Sequence, residues 1–210
     1  MIRHKVYHSM PTQLDSEPAW DIARLFPPQG HWSQEDYFAL PDQGLVEFSS
    51  GTIEVLPMPS ELHQLIVAFL YRALAQFVQE RHLGTVLFAP LRIQLWPGKY
   101  REPDVVFMFK HHAHRRHPQY WQGADLVMEV LSPDDPYRDT VTKRREYAEA
   151  GMPEYGLVDP TTETLTVLVQ PQAKMPYQLA GEYQRGEHAA SLLLPGFILD
   201  VNALFDDAET

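Results

Sequence analysis

The sequence predicts an α/β domain in which a mixed central β-sheet is flanked by helices. Apolar runs rich in valine, leucine and phenylalanine at 85–95, 100–109 and 124–131 read as strands. The stretch 60–84 instead repeats Leu62, Leu65, Ile66, Phe69, Ala73, Phe77 and Val78 at helical spacing, with Ser60 able to cap its start and Gly84 to close its end. Strands bracketed by that helix and by a second one at 139–150, which stops at Gly151, imply an α/β fold.

The elements follow in order. Residues 1–31 carry prolines at 11, 18, 27 and 28 and no periodic pattern, so they read as an extension to a domain spanning 32–205, with an acidic tail at 206–210. "SQEDYFALP" is a short helix with Ser33 as N-cap and Pro41 just past its end. "LVEFSSGTIEVLPM" is a hairpin turning at Ser49, Ser50 and Gly51. Beyond the long helix and the three strand-like runs, "EYGLVD" and "TLTVLV" begin a further series of short strands reaching Leu194.

At 210 residues, 44% of them hydrophobic, the chain suits one domain with one core. The absence of cysteine excludes disulfides, thiolate metal sites and a cysteine nucleophile. With no signal-like start and no run of 18 apolar residues, the expectation is a cytoplasmic protein without a membrane span. A net charge of −11 argues against general affinity for nucleic acid. The charge is uneven, because residues 99–145 hold nine Lys or Arg against seven Asp or Glu, leaving −13 elsewhere. That basic middle is either a place for a phosphate ester or a solvated surface of mixed sign.

Two carboxylates interrupt apolar strands, and both need an explanation. Asp104 stands between Pro103 and "VVFMF", and Glu129 sits inside "LVMEVL". An unpaired charge there is costly. Asp104 alone reads as a strand-end carboxylate capped by backbone or paired with Arg101. If the two strands are neighbours, the acids converge on one divalent cation, and Mg²⁺ favours one or two carboxylates plus waters and a substrate phosphate. A lysine two residues after Glu129 would be the obvious partner, but that position is Leu131. Lys143 substitutes for it: it lies one turn into the following helix, about 6 Å along the axis, and four residues after Asp139.

Glu47, "PD" at 103–104, "EVLSP" at 129–133, "RD" followed by Lys143, and "YAEAGMPEYGLVDP" at 147–160 together resemble the Uma-two family. The resemblance runs from about Trp32 to Asp200. It implies a restriction-endonuclease-like fold and a metal-dependent PD-(D/E)xK endonuclease acting on DNA, with the lysine moved from strand to helix. Asp104, Glu129 and the Val130 backbone carbonyl would then hold Mg²⁺ or Mn²⁺, Lys143 would assist the attacking water, and Glu47 would assist the metal or its waters. "VEFSSG" keeps the family's glutamate and glycine but lacks its tyrosine and turn acid, and Gly156 stands where the family often has tryptophan.

Other residues have plainer readings beside the functional ones. Glu47 could be an exposed hairpin residue. His63, at a helix start, caps or packs, or else touches a phosphate. Arg144 and Arg145 are either substrate contacts or a solvated helix face, and Tyr147 packs beneath Lys143. His111, His112, His114 and His117 read as loop histidines rather than a zinc site. Because the acidic chain should bind duplex DNA weakly as a monomer, a homodimer is expected. The competing functions are a nuclease-fold binding module with little turnover, and a metal-dependent hydrolase of RNA or nucleotides.

Overall fold

The computed structural model describes residues 26–40 and 45–208, so most of the 1–31 extension, Pro41 and the end of the acidic tail lie outside the described residues. A short helix, α1 (Gln34–Phe38), is capped by Ser33, whose side chain accepts from the Asp36 backbone while the Asp36 carboxylate accepts from the Ser33 backbone. The hairpin β1 (Val46–Ser49) and β2 (Thr52–Val55) pairs Glu47 directly with Glu54. The long helix α2 (Glu61–Glu80) is capped by Ser60.

Two mixed sheets and a small ribbon share the remaining strands. β1 and β2 join β4 (Ile93–Trp96), β5 (Lys99–Arg101) and β7 (Trp121–Gln122) in the order β2-β1-β5-β4-β7. The larger sheet runs β11-β10-β9-β8-β6-β3, built from β3 (Gly84–Phe88), β6 (Val105–Phe109), β8 (Leu126–Val130), β9 (Glu154–Asp159), β10 (Thr164–Val169) and β11 (Gln178–Gln184). A ribbon of β12 (His188–Ala190) and β13 (Ile198–Asp200) leads into α4 (Val201–Asp207).

Within the larger sheet β6 and β8 are antiparallel and β8 and β9 parallel. A parallel pair needs a crossover. Here it is a π-helical turn (Arg138–Lys143) that continues into α3 (Arg144–Ala150) and ends at Gly151 in the left-handed region, φ 79°.

The expectation of a single core gives way to three clusters, because the six-stranded sheet is covered on both faces and the five-stranded sheet packs a third cluster under α1. Alternation sends Val105, Phe107, Leu126, Met128 and Val130 toward Ile66, Leu70, Leu74 and Phe77 of α2 and toward α4. It sends Val106, Met108, Val127 and Leu131 to the other face, against Ile93, Trp121, Tyr147 and Tyr155. Trp32, Tyr37, Phe48 and Tyr100 form a third cluster under α1. Leu62, expected inside, is half exposed.

Gly84 does not close α2. The helix stops at Glu80 with Arg81 as its cap, and Gly84 opens β3, where an added Cβ would sit 2.0 Å from the Met108 carbonyl oxygen. Hydrogen bonding to β6 rather than a helix end explains the glycine. Gly84→Ala should therefore destabilise the protein by about 1–3 kcal/mol in urea unfolding, as backbone crowding does; an unchanged midpoint would show that the two strands have room to separate.

Candidate active site

Asp104 and Glu129 reach the same place because β6 and β8 are antiparallel: the start of β6 lies beside the end of β8, with Val105 opposite Met128. The Val130 amide donates to Asp104 Oδ2 at 2.8 Å, which seats the Asp104 carboxylate next to the backbone that follows Glu129. Asp104 is therefore capped by backbone, one of its two plain readings. The other, pairing with Arg101, is not found, since Arg101 is engaged with Glu47 and Glu146. His63, in the first turn of α2, places Nε2 3.2 Å from Asp104 Oδ2, while its Nδ1 is buried without a partner. Burial pulls the His63 pKa down, but the hydrogen bond to Asp104 and that carboxylate's charge outweigh it and raise the imidazole above its ordinary value.

Lys143 completes the group. Its ammonium lies 3.0 Å from Glu129 Oε1, 3.0 Å from Asp139 Oδ1 and 3.9 Å from Glu47 Oε1, and it is buried. The chain leaves β8 at Val130, one residue after Glu129, and the helical segment of the crossover brings Lys143 back to that carboxylate. That turn is π-helical rather than α-helical, a form frequent at functional sites. Tyr147 OH donates to Glu129 Oε1 at 2.6 Å, and Tyr155 OH donates to the Asp139 carbonyl at 3.1 Å. Tyr147 thus holds the acid directly and does not merely pack beneath the lysine.

Burial pushes Glu129 up to about 8; the charges of Asp139 and Asp104 add to this, while Lys143 opposes it. Burial likewise raises Asp139. Lys143 is raised too, the surrounding carboxylates overcoming its burial, so it stays an ammonium. The donors gathered here are carboxylate oxygens, as hard divalent cations require, and the buried Asp139 Oδ1 has the Lys143 ammonium as its partner. Among the described residues no set of three or more His, Cys, Asp or Glu side chains forms a ready metal cage. Asp104 and Glu129 supply the one or two carboxylates that Mg²⁺ takes when water and phosphate complete its shell, so the residues fit that ion.

Glu47 is buried, not an exposed hairpin residue. It accepts from Arg101, from Arg138 and, at 3.1 Å, from the Glu102 amide. Arg101 also forms a two-pronged pair with Glu146, at 2.8 and 3.1 Å, and Lys99 reaches Glu146 at 2.7 Å. Arg138 bridges Glu47 and Glu54 across the hairpin. Although burial pushes Glu47 up, Lys143, Arg101 and Arg138 hold it at about 2. Arg144 is half-buried, and Arg145 is exposed, 3.8 Å from Glu149; neither makes a contact with the carboxylate group among the described residues.

The sequence reading did not single out Arg101, Arg138 and Glu146 as a buried charge network. The available signal was "REPD", where two charges stand just ahead of Pro103 and the aspartate at the junction of two strands. His112 Nδ1 pairs with Asp125 at 2.8 Å and Arg115 pairs with the same acid at 2.8 Å, so the histidine segment is tied by an aspartate. No helix among the described residues is long and apolar enough to cross a membrane.

A family model, Uma2, described as "putative restriction endonuclease", matches residues 34–202. The fold is similar to the crystal structure of a "putative nuclease" of the DUF820 group from Anabaena variabilis, with a TM-score of 0.66 and 17% identity over 83% of this chain and 97% of that one. No curated protein matches the chain.

Because Glu47 has a depressed pKa, its contribution to stability is complete above the ordinary glutamate value of about 4.3 and is lost as pH falls toward about 2. Glu47→Gln leaves the buried Arg101 and the partly buried Arg138 each short of a carboxylate. It should cost about 3–5 kcal/mol at pH 7, with the difference from wild type narrowing below about pH 3 in denaturant titrations. A constant difference from pH 7 to pH 2 would show that Glu47 does not carry this charge.

Proposed function

The chain belongs to the Uma2 family, and from that premise we propose that it is a Mg²⁺- or Mn²⁺-dependent endonuclease hydrolysing phosphodiester bonds in DNA. One observation carries this reading: the Lys143 ammonium sits 3.0 Å from Glu129 beside Asp104, although lysine and glutamate come from different elements.

Asp104, Glu129 and the Val130 carbonyl would hold the ion. When bound, it supplies a water of lowered pKa and neutralises charge on the phosphate under attack. Lys143 would orient the attacking water and would donate to a non-bridging phosphate oxygen as charge builds there. Asp139 and Tyr147 keep Lys143 and Glu129 in register, and His63 fixes the Asp104 carboxylate. Glu47 acts at one remove, anchoring Arg101 and Arg138 around the lysine rather than holding the ion.

Supercoiled plasmid incubated with Mg²⁺ or Mn²⁺ should be nicked by wild type and spared in chelator. Asp104→Asn, Glu129→Gln and Lys143→Met should each lower the rate by roughly a hundredfold or more. Calorimetric Mn²⁺ binding should disappear in the two carboxylate variants and survive in Lys143→Met. Cleavage indifferent to both Asp104→Asn and Lys143→Met would overturn the assignment.

A further inference from the structure

A groove of about 470 Å³ opens at the far end of the six-stranded sheet, between the end of α2, the edge strand β3 and the 3₁₀ segment Lys110–Arg115. His82, Lys110 and Arg116 line it over an apolar floor that includes Val78 and Val86, and no acid lines it. Arg116 donates to Thr85 Oγ1 at 2.5 Å, and no carboxylate among the described residues pairs with Lys110 or Arg116. Acids near these cations in the chain are already engaged: Glu80 with Gln76 and Arg81, Asp104 with the Val130 amide and His63, and Asp125 with the Phe109 amide, His112 and Arg115. In a chain of net charge −11, Lys110 and Arg116 put positive charge on a groove whose lining holds no acid, an arrangement that favours an anionic occupant.

We propose that this groove is a second contact for the phosphodiester backbone of nucleic acid, a proposal that rests on the nuclease reading of the carboxylate site. The spacing fits one substrate. Lys110 lies six residues after Asp104 along β6, about 20 Å at strand rise, and that distance is about six base pairs of duplex. Helix α2 links the same two places, with His63 in its first turn at Asp104 and Gln79 near its end at the groove. The groove therefore adds, within one protomer, exposed cationic surface to a site where Arg101 and Lys143 are buried and paired.

The test is fluorescence anisotropy in chelator, where no turnover occurs, with a 30-base-pair DNA duplex, its single strand and an RNA of the same sequence. Lys110→Gln/Arg116→Gln should weaken binding roughly tenfold or more near 0.1 M salt and lower the slope of log affinity against log salt by about two. Should the double variant melt early, Lys110→Gln at an exposed position carries the same test with a slope change of about one. A loss in any arm supports the groove and identifies the strand it holds. Affinity and slope unchanged in all three arms overturn it, as does wild type that binds none of them. Weakened binding in a protein that never cleaves would sink the nuclease reading and leave the groove standing.

Discussion

Glu129 occupies a strand of the larger sheet that is buried along its whole length, and a carboxylate there survives only if its charge is answered. The Lys143 contact answers it. Much of the local architecture follows, because a lysine cannot approach from Leu131, which packs into the core on the same face. It must come from the next element, and the parallel pairing of β8 with β9 obliges the chain to cross over immediately after β8. The π-helical turn at Arg138–Lys143 is the first helical part of that crossover, and it brings Asp139 and Lys143 inward together, both buried.

A second layer of charge surrounds the first and ties the two sheets. Glu47 and Glu54 are directly opposed on the hairpin, an arrangement that repels by itself. Arg138 from the crossover bridges both acids, and Arg101 from β5 joins Glu47 to Glu146 of α3. The segment from Arg101 to Asp104 thus ends one sheet, enters the other, and carries a structural arginine and a site carboxylate three residues apart. A shift in the ion-paired layer would move the crossover, and with it the lysine.

Much of this was legible in the sequence. The α/β class, the hairpin at Ser50 and Gly51, α2 and the placement of Asp104, Glu129 and Lys143 on neighbouring elements could be read because each rests on local periodicity or on a polar residue in an apolar run. What could not be read was long-range pairing. Division of the strands between two sheets, with β3 and β4 parting company within the run 85–95, leaves no periodic trace. Gly84 looked like a helix end because the reason for it, the Met108 carbonyl, comes from a strand 24 residues later. The partners of Arg101 lie 45 and 54 positions away, so nothing local betrayed that its charge was already spoken for.

Glu47 and Glu129 are the same residue type, both buried and both near Lys143, yet their environments drive them apart. Burial acts on each in the same direction, so the difference lies in the neighbours. Around Glu47 three cations gather and hold it at about 2, a charge already satisfied. Around Glu129 the other carboxylates, Asp139 and Asp104, outnumber the single lysine, and the acid is held at about 8. A site that gains from one more positive charge is the second, not the first, and under the proposed function Glu129 and Asp104 would be the face turned toward the cation while Glu47 would serve the scaffold. Separating such environments is how one fold assigns different work to identical side chains.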